Sequence, residues 1–436
     1  MHYSLIIFLG SFLIRIIYIL FQGGNLEEKL IEDELLYWTW SMKGAYTLDG
    51  EISKNLLAER MPGAFYYYQF LISLTANKIN HILYIQALLD SITCFVMARC
   101  VSKFYSEEFL KVYVLAAISP LMIIMCSQTL SETLFLFLFT CFIFFTIRTF
   151  YSKKIILNLF LAGSFLGLTT FVKTITYPLI ILLFFPIAII LVIKNHNKLK
   201  ITLSMFLFLI GAFLPISERL INNIKIHKTL SLTSQTGTHL AYWVTPAVIS
   251  YTKDVNRQRA LEIINDEVKN KGSFKNDAYK DSKLLANTAF SMLKDVSYLD
   301  LTYLWARGSL LNILSPSILL DKNVRKLPHP SFYSVAEPLK WIKELFYTKD
   351  YHYYLLIVLT SSISSAFILL SLLLGPIELF KKDKFIFIVS ISYILFFCII
   401  TGPVISPKYI VGILPCLFLY QAITLSKLIS LKKFFQ

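Results

Sequence analysis

Ten long apolar runs restrict what this chain can fold into more than any other feature of its sequence. They cover residues 3–21, 83–101, 109–126, 131–149, 155–172, 175–193, 200–217, 353–374, 385–401 and 409–426. A helix needs roughly 20 residues to cross a hydrocarbon core about 30 Å thick. Because a helix satisfies its own backbone hydrogen bonds inside a membrane, we expect an all-α polytopic membrane protein.

The first apolar run and the cysteines give further information on the kind of membrane protein. Residues 3–21 lack the basic leader and the small-residue cleavage site of a signal peptide, so we interpret them as a retained transmembrane helix. All 6 cysteines lie inside apolar runs. The sequence therefore indicates neither a disulfide framework nor a thiolate metal site.

Clusters of basic residues alternate with the apolar runs and predict the topology. They occur at Arg99/Lys103/Lys111, Arg148/Lys153/Lys154, Lys194/Lys198/Lys200, Lys381/Lys382/Lys384 and Lys427/Lys432/Lys433. With the N-terminus inside, every cluster lies on the cytoplasmic side, as the positive-inside rule requires. The net charge of +15 then follows from topology and indicates no nucleic acid partner. The external side holds residues 22–82, 126–132, the Lys173 turn, 219–352 and 401–408.

One apolar segment, residues 61–77, does not fit this alternation. If it crossed the membrane, every later basic cluster would change sides. We therefore predict a juxtamembrane helix in the outer interface, anchored by Tyr66, Tyr67 and Tyr68. An eleventh spanning helix is the alternative.

The polar segment at residues 219–352 divides the chain into three parts. We predict an N-terminal transmembrane module at 1–218 with its external loop at 22–82, an external helical subdomain at 219–352, and C-terminal transmembrane helices at 353–436. Apolar residues recur at helical spacing near 254–270 and 276–295. A more apolar piece at 299–314 could lie on the membrane. The sequence contains no evident repeat, which argues against the duplicated halves common in transporters.

Three consecutive acids, Glu32, Asp33 and Glu34, follow the first run and lead directly into aromatic residues. Carboxylates at a bilayer surface are costly unless they have solvent, partners or a chemical role. One interpretation is a catalytic edge. The other is that the acids stabilise the N-terminus of an interfacial helix through its dipole.

The pattern Asp33-Glu34-x-x-Tyr37, followed by Arg60-x-Pro62, resembles the GT-C glycosyltransferases that use polyprenyl-phosphate sugars. Protein O-mannosyltransferases and lipid A aminoarabinose transferases are the most similar by pattern. Further matches follow in order and cover most of the chain: Pro120, Ser131-Glu132, Lys173, Pro215-x-x-x-Arg219-x-x-Asn222, Gly237-x-x-Leu240 and Lys408-Tyr409. The resemblance implies a GT-C-like bundle of about 10–11 transmembrane helices. Leu36 departs from it, because the aminoarabinose transferases usually carry a basic residue there.

The resemblance also implies roles for the acids. Inverting glycosyl transfer needs a carboxylate that takes the proton of the acceptor hydroxyl as it attacks the anomeric carbon. Asp33 matches the acid with that role, and Glu34 could hold the acceptor, position Asp33 or be the base itself. Tyr37, Asn222, His239 and Tyr409 are further substrate-binding candidates, although a solvated loop histidine explains His239 as well.

Four external cations are candidates for binding the leaving lipid phosphate, namely Arg60, Lys173, Arg219 and Lys408. Arg60 matches the basic residue that precedes the proline in these families. Arg60 could also be an interfacial residue with its charge in the headgroups, and Arg219 a juxtamembrane anchor. Lys173 and Lys408 lie against the positive-inside trend, which favours an anionic partner.

Glu132, the second external acid, could cap its helix, bind sugar or orient Arg60. In the oligosaccharyltransferase branch, acids in the equivalent loop help to bind a divalent metal. The single acid here supports no definite metal site, and a divalent cation stays an open alternative. The histidines lack zinc-site spacing.

The sequence thus predicts an external-face glycosyltransferase in a bacterial or archaeal plasma membrane. It would move one sugar from a polyprenyl-phosphate donor to a protein, lipid or polysaccharide acceptor. The main alternative is a transporter or flippase of a lipid-linked sugar or polysaccharide precursor, although transporters usually carry ionisable groups in mid-membrane. A non-catalytic scaffold would leave the external charges unexplained.

Overall fold

The computed structural model describes residues 2–23, 26–27, 30–43, 58–194, 197–331 and 338–435. Within these residues every regular element is a helix, and no strand is present. The expected all-α architecture is therefore confirmed. The chain divides into two compact units, Met1–Leu232 and Thr233–Gln436. The three-part division at 218 and 352 stays a prediction.

The first unit contains eleven described α-helices: α1 (His2–Phe21), α2 (Asp33–Met42), α3 (Gly63–Thr75), α4 (Ile79–Val101), α5 (Phe109–Ala117), α6 (Pro120–Cys126), α7 (Glu132–Tyr151), α8 (Ile155–Val172), α9 (Tyr177–Ile193), α10 (Lys198–Phe213) and α11 (Ser217–Asn222). Its 3₁₀ turns are Ser106–Glu108, Thr174–Thr176 and Leu214–Ile216, and a π-helical turn follows α11 at Asn223–His227.

The second unit contains ten described α-helices: α12 (Gln235–His239), α13 (Thr245–Thr252), α14 (Arg257–Lys271), α15 (Ala278–Lys294), α16 (Tyr298–Leu314), α17 (Lys322–Arg325), α18 (Pro338–Tyr347), α19 (His352–Lys382), α20 (Lys384–Thr401) and α21 (Leu414–Phe435). A π-helical turn lies at Leu240–Val244, and 3₁₀ segments lie at Ser317–Leu320, Lys349–Tyr351 and Pro407–Ile413.

Nine helices in the described part of the chain are long and apolar enough to cross a membrane, or ten if one bent pair counts as a single span. The protein is therefore a multi-pass membrane protein. The bent pair is Ser106–Ala117 with Pro120–Cys126, at an angle of 51°. Pro120 begins the second segment, where its missing N–H costs nothing, while Ser119 before it is extended.

A buried ion pair lies beside this bend. The Nε of Arg15, in the middle of α1, is 2.5 Å from the Oδ2 of Asp90 on α4, and the two residues are 0% and 1% exposed. The same guanidinium donates to the carbonyl oxygens of Ala117 at 2.8 Å and Ala116 at 3.5 Å. Arg15 therefore satisfies the Ala117 carbonyl, which the break after α5 leaves without its helical donor. It is a second donor to the Ala116 carbonyl, which also accepts from the Ser119 N–H at 3.3 Å.

Helix α3 corresponds to the apolar segment that breaks the alternation of basic clusters. Its 13 residues extend over about 20 Å, which is shorter than a hydrocarbon core of about 30 Å. Tyr66, Phe70 and Leu74 form an exposed apolar stripe, while Tyr68 and Leu71 are buried. This length and this single exposed stripe favour a juxtamembrane helix over a spanning one.

The second unit has a helical core in the long polar segment. α14 and α15, close to the helices expected at 254–270 and 276–295, pack through Ile264, Val268, Leu285 and Ala289. The apolar piece at 299–314 forms α16. Its Asn312 donates to the carbonyl of Val404 at 2.9 Å and accepts from the Ser406 N–H, which holds the turn before Pro407–Ile413.

Candidate active site

Five predicted residues of the first unit form one cluster of acids and cations, which we call the charge cluster: Asp33, Tyr37, Arg60, Glu132 and Lys173. Two ion pairs define it. Asp33 Oδ1 lies 3.0 Å from Arg60 Nη2, and Glu132 Oε1 lies 2.7 Å from Lys173 Nζ. Tyr37 connects the pairs, because its phenol interacts electrostatically with Arg60, Glu132 and Asp33.

The start of α2 places Asp33 and Glu34 in different environments. Asp33 has a side chain that is 32% exposed, whereas Glu34 is buried. The Oε1 of Glu34 accepts from the Thr129 N–H at 3.2 Å, and the Thr129 hydroxyl donates to the Glu34 carbonyl at 3.2 Å. Glu34 thus ties α2 to the 127–131 loop, while Asp33 faces an accessible space.

The 127–131 loop brings Glu132 to the cluster. Tyr68 of α3 is buried and donates its hydroxyl to the carbonyl of Leu130 at 2.7 Å. The adjacent Gln86 of α4 donates to the carbonyl of Gln128 at 3.2 Å. These two bonds fix the loop just before Glu132 begins α7.

Sequence reasoning grouped Tyr68 with ordinary interfacial aromatics and gave no role to Thr129 or Gln86. A run of three tyrosines carries no signal that separates the buried one from its neighbours. Only the side on which α3 packs distinguishes them.

A close helix contact places Arg60 near the Lys173 turn. Gly63 begins α3 against the end of α8, where an added Cβ would lie 2.6 Å from the carbonyl oxygen of Phe171. The Tyr66 ring stacks on the ring of Phe171, with the centroids 6.1 Å apart. Only glycine permits this approach of the two backbones.

The neighbouring side chains keep Arg60 charged and Tyr37 neutral. Burial by itself lowers the pKa of Arg60, but the nearby Tyr37 and Asp33 raise it more, and the net shift is upward. Arg60 therefore stays charged. Burial raises the pKa of the Tyr37 phenol, Arg60 opposes the shift and Glu132 adds to it. Tyr37 is thus a neutral hydroxyl at physiological pH.

Lys173 is partly exposed and has two partners in the cluster. Its side chain is 31% exposed, whereas its partner Glu132 is 5% exposed. The ammonium group also lies 5.6 Å from the ring centre of Phe135. A carboxylate and a ring thus hold the cation in place while one side of it stays open.

Two other predicted residues of the first unit lie at the end of the α10–α11 segment. Arg219 donates through Nε to the carbonyl of Leu232 at 3.1 Å. Asn222 is exposed, whereas its neighbour Asn223 is buried and donates to the carbonyls of Ser231 and Leu232. Asn223, which sequence reasoning missed, therefore fixes this turn.

The remaining candidates, His239, Lys408 and Tyr409, belong to the second unit and are half-buried. Burial lowers the pKa of His239, which favours its neutral form. Gly237 has a packing role, because an added Cβ would lie 2.0 Å from the Ser282 carbonyl oxygen. Its N–H donates to the Ser282 hydroxyl at 3.0 Å.

The question of a metal concerns Glu132 above all. Among the residues that the structure describes, no group of three or more His, Cys, Asp or Glu side chains could hold a metal ion. Glu132 contacts the ammonium group of Lys173, and a second cation beside it would be repelled. The divalent cation stays an untested alternative from the sequence.

Taken together, the charge cluster offers one accessible carboxylate, two cations with open sides and a neutral phenol. That combination can bind a phosphate and accept a proton next to it. The sequence matches no protein-family model, and no curated protein sequence is significantly similar to it.

Proposed function

We propose that this protein is a membrane glycosyltransferase that moves one sugar from a polyprenyl-phosphate donor to an acceptor at the external membrane surface. The observation that carries the proposal is the contact of Asp33 with Arg60, within the cluster that also contains Lys173. A base and two phosphate-binding cations are what this reaction requires in one place.

The proposed reaction is an inverting displacement. The acceptor hydroxyl oxygen attacks the anomeric carbon, and its proton passes to Asp33. The bond between that carbon and the phosphate oxygen breaks, and the electron pair stays on the phosphate. Arg60 and Lys173 bind the developing negative charge. The products are the glycosylated acceptor and polyprenyl phosphate.

The difference in burial favours Asp33 over Glu34 as the base. Asp33 is about one-third exposed. Glu34 is 3% exposed and already bonded to Thr129. An acceptor can reach the Asp33 carboxylate without a rearrangement of the 127–131 loop. Glu34 would need such a rearrangement, so we assign it a positioning role.

The ion pair also implies an order of events. While Arg60 is bound to Asp33, its Nη2 donates to a carboxylate oxygen instead of to a phosphate. A lipid phosphate that competes for the guanidinium releases the carboxylate beside the anomeric carbon. We therefore expect the donor to bind before the acceptor hydroxyl is deprotonated.

The finer architecture belongs to the same proposal. We propose a GT-C-like bundle of 10–11 transmembrane helices with a first external loop that carries juxtamembrane helices. Arg219, Asn222, His239, Lys408 and Tyr409 are proposed to contact the donor or acceptor. The proposed location is a bacterial or archaeal plasma membrane, with a protein, lipid or polysaccharide acceptor.

The alternative, a transporter of a lipid-linked sugar, requires ionisable groups that line a path through the membrane. Arg15 and Asp90 are the candidates for such a role. They are sealed against each other and against backbone carbonyls, which favours a structural role. This observation supports the transferase over the transporter.

The test uses purified full-length protein in lipid nanodiscs with a panel of radiolabelled polyprenyl-phosphate sugars. Transfer to an acceptor extract, or release of polyprenyl phosphate, should fall at least about a hundredfold in Asp33→Asn. The matched control is Glu32→Gln, which loses the same charge one residue away and should keep near-normal activity. Normal transfer by Asp33→Asn would overturn the assignment of the base. Movement of the donor across vesicles without sugar transfer would favour the transporter.

A further inference from the structure

A groove at the opposite end of α8 from Lys173 combines three lysines with an apolar floor. Its volume is about 500 Å³. Lys153 and Lys154 come from the turn before α8, and Lys200 comes from the first turn of α10. Leu157, Phe160 and Leu207 line the floor.

The packing of α8 and α10 explains why a groove forms there. Both helices begin near the lysines, and their backbones come into contact further along, at Gly163 and Gly167. An added Cβ on Gly163 would lie 2.1 Å from the carbonyl oxygen of Phe208, and one on Gly167 would lie 2.4 Å from that of Ala212. The groove lies towards the lysine end of this contact, where Ile156, Leu157 and Leu207 line it.

The three ammonium groups are available for an external anion. Within the described residues none of them makes an ion pair. All three lysines are exposed, so an anion can reach them without a rearrangement of the protein. A ligand with concentrated negative charge complements such a group of cations.

The apolar residues of the groove favour a lipid over a soluble anion as the ligand. Leu157 is 50% exposed, and it lies on a helix long and apolar enough to span the membrane. A soluble anion would bind the lysines and leave the apolar floor uncovered. An anionic phospholipid places its phosphate on the lysines and an acyl chain along the floor, so it satisfies both surfaces.

We propose that this groove is a binding site for an anionic phospholipid, in the leaflet opposite to the charge cluster. Lys153, Lys154 and Lys200 bind the headgroup phosphate, and Leu157, Phe160 and Leu207 contact the acyl chain. Lipid binding at this site does not depend on catalysis, so it can be tested independently of the glycosyltransferase proposal.

Native mass spectrometry of the full-length protein, titrated with phosphatidylglycerol or phosphatidylcholine, tests the site. Wild type should retain phosphatidylglycerol in clear preference to phosphatidylcholine. The triple variant Lys153→Gln/Lys154→Gln/Lys200→Gln should bind it roughly a hundredfold more weakly. The triple Lys→Arg variant should bind it normally, because it keeps the charge and the positive-inside signal.

Two further variants separate the groove from general surface charge. Lys381→Gln/Lys382→Gln/Lys384→Gln removes an equal charge from another membrane boundary and should leave binding unchanged. Leu207→Trp keeps all lysines, fills the groove and should weaken binding about tenfold, as the loss of one acyl-chain contact surface predicts. Equal loss in both lysine triples, or normal lipid binding by Leu207→Trp, would overturn the proposal. Displacement of the lipid by inorganic phosphate would also contradict it.

Discussion

The guanidinium of Arg60 lies 3.0 Å from the carboxylate of Asp33, although 26 residues of the first external loop separate them in the chain. The contact joins Asp33, the first residue of α2, to Arg60, which lies three residues before the start of α3. In the proposed reaction the donor phosphate takes the place of the carboxylate on Arg60. The function of each residue therefore depends on the other.

The first prediction concerns the form of the cation at residue 60. Arg60→Lys keeps the charge but loses the planar pair of donors, so we expect weaker donor binding and a moderate loss of rate. Arg60→Ala should lower kcat/KM for transfer by roughly a hundredfold, because the phosphate loses a charge-assisted partner in the transition state. The measurement is steady-state kinetics over a donor series. The control is Arg99→Ala, which removes an exposed arginine from the last turn of α4, outside the charge cluster.

A result in which Arg60→Ala raises KM but leaves kcat unchanged would limit Arg60 to ground-state donor binding. A normal kcat/KM would contradict its role altogether.

The second prediction uses the Glu132–Lys173 pair. Lys173→Met leaves the nearly buried Glu132 carboxylate without its cation, so we expect a loss of stability towards the low end of about 3–5 kcal/mol. The double variant Lys173→Met/Glu132→Gln removes that unpaired charge and should recover most of the loss. Thermal unfolding in detergent measures both.

Activity should behave differently from stability in this cycle. The double variant stays without a phosphate-binding cation, so its transfer rate should remain low although its fold is restored. Recovery of activity together with stability would show that Lys173 has only a structural role.

The third prediction concerns the ion pair that holds the bend between α5 and α6. Arg15→Met leaves Asp90 charged and buried, and it removes the donors to the Ala116 and Ala117 carbonyls. We expect a loss of about 3–5 kcal/mol in unfolding free energy. Arg15→Met/Asp90→Leu should be less destabilised than Arg15→Met alone, because no buried charge remains unpaired.

Full recovery is not expected in that double variant, since the Ala117 carbonyl still lacks the donor that Arg15 supplies. Arg148→Met, at the end of another transmembrane helix, serves as the control for loss of an arginine. Equal stability of all three variants would refute the structural role of the pair.

The fourth prediction is a pH dependence that arises at His239. Burial lowers the pKa of this imidazole below its ordinary value of about 6.5 in the unfolded chain. The unfolded state then binds the proton more readily, so this contribution to stability is complete above about pH 6.5 and is lost as the pH falls towards the lowered folded pKa. Wild type should therefore lose stability between neutral and mildly acidic pH.

His239→Gln removes the titrating group and should show a flatter profile of melting temperature against pH over the same range. The exposed His352 offers the matched variant, His352→Gln, which should keep the wild-type slope. An unchanged slope in His239→Gln would show that other groups control the acid response.

The helices were the most predictable part of this protein. Apolar periodicity and length placed the long helices and the helical pair in the 219–352 segment, because a membrane leaves the backbone almost no alternative. Residues 109–126, predicted as one span, show what the apolar pattern does not predict, because they form α5 and α6 with a bend of 51° between them. A proline in an apolar run is compatible with a straight, kinked or broken span. The contact of Arg15 with the Ala117 carbonyl accompanies the break and joins residues 102 positions apart, so local sequence does not reveal it.

Sequence by itself determined that this chain is an all-α multi-pass membrane protein, since burial of apolar side chains is a local property of each run. It also singled out the acids and cations of the charge cluster, because charges next to apolar runs are costly without a role. Tertiary structure alone decided their partners: Asp33 with Arg60, Glu132 with Lys173, and Glu34 with Thr129. Such pairs join residues 27 to 95 positions apart. No local spacing encodes them, because they form only when helix packing brings distant loop ends together.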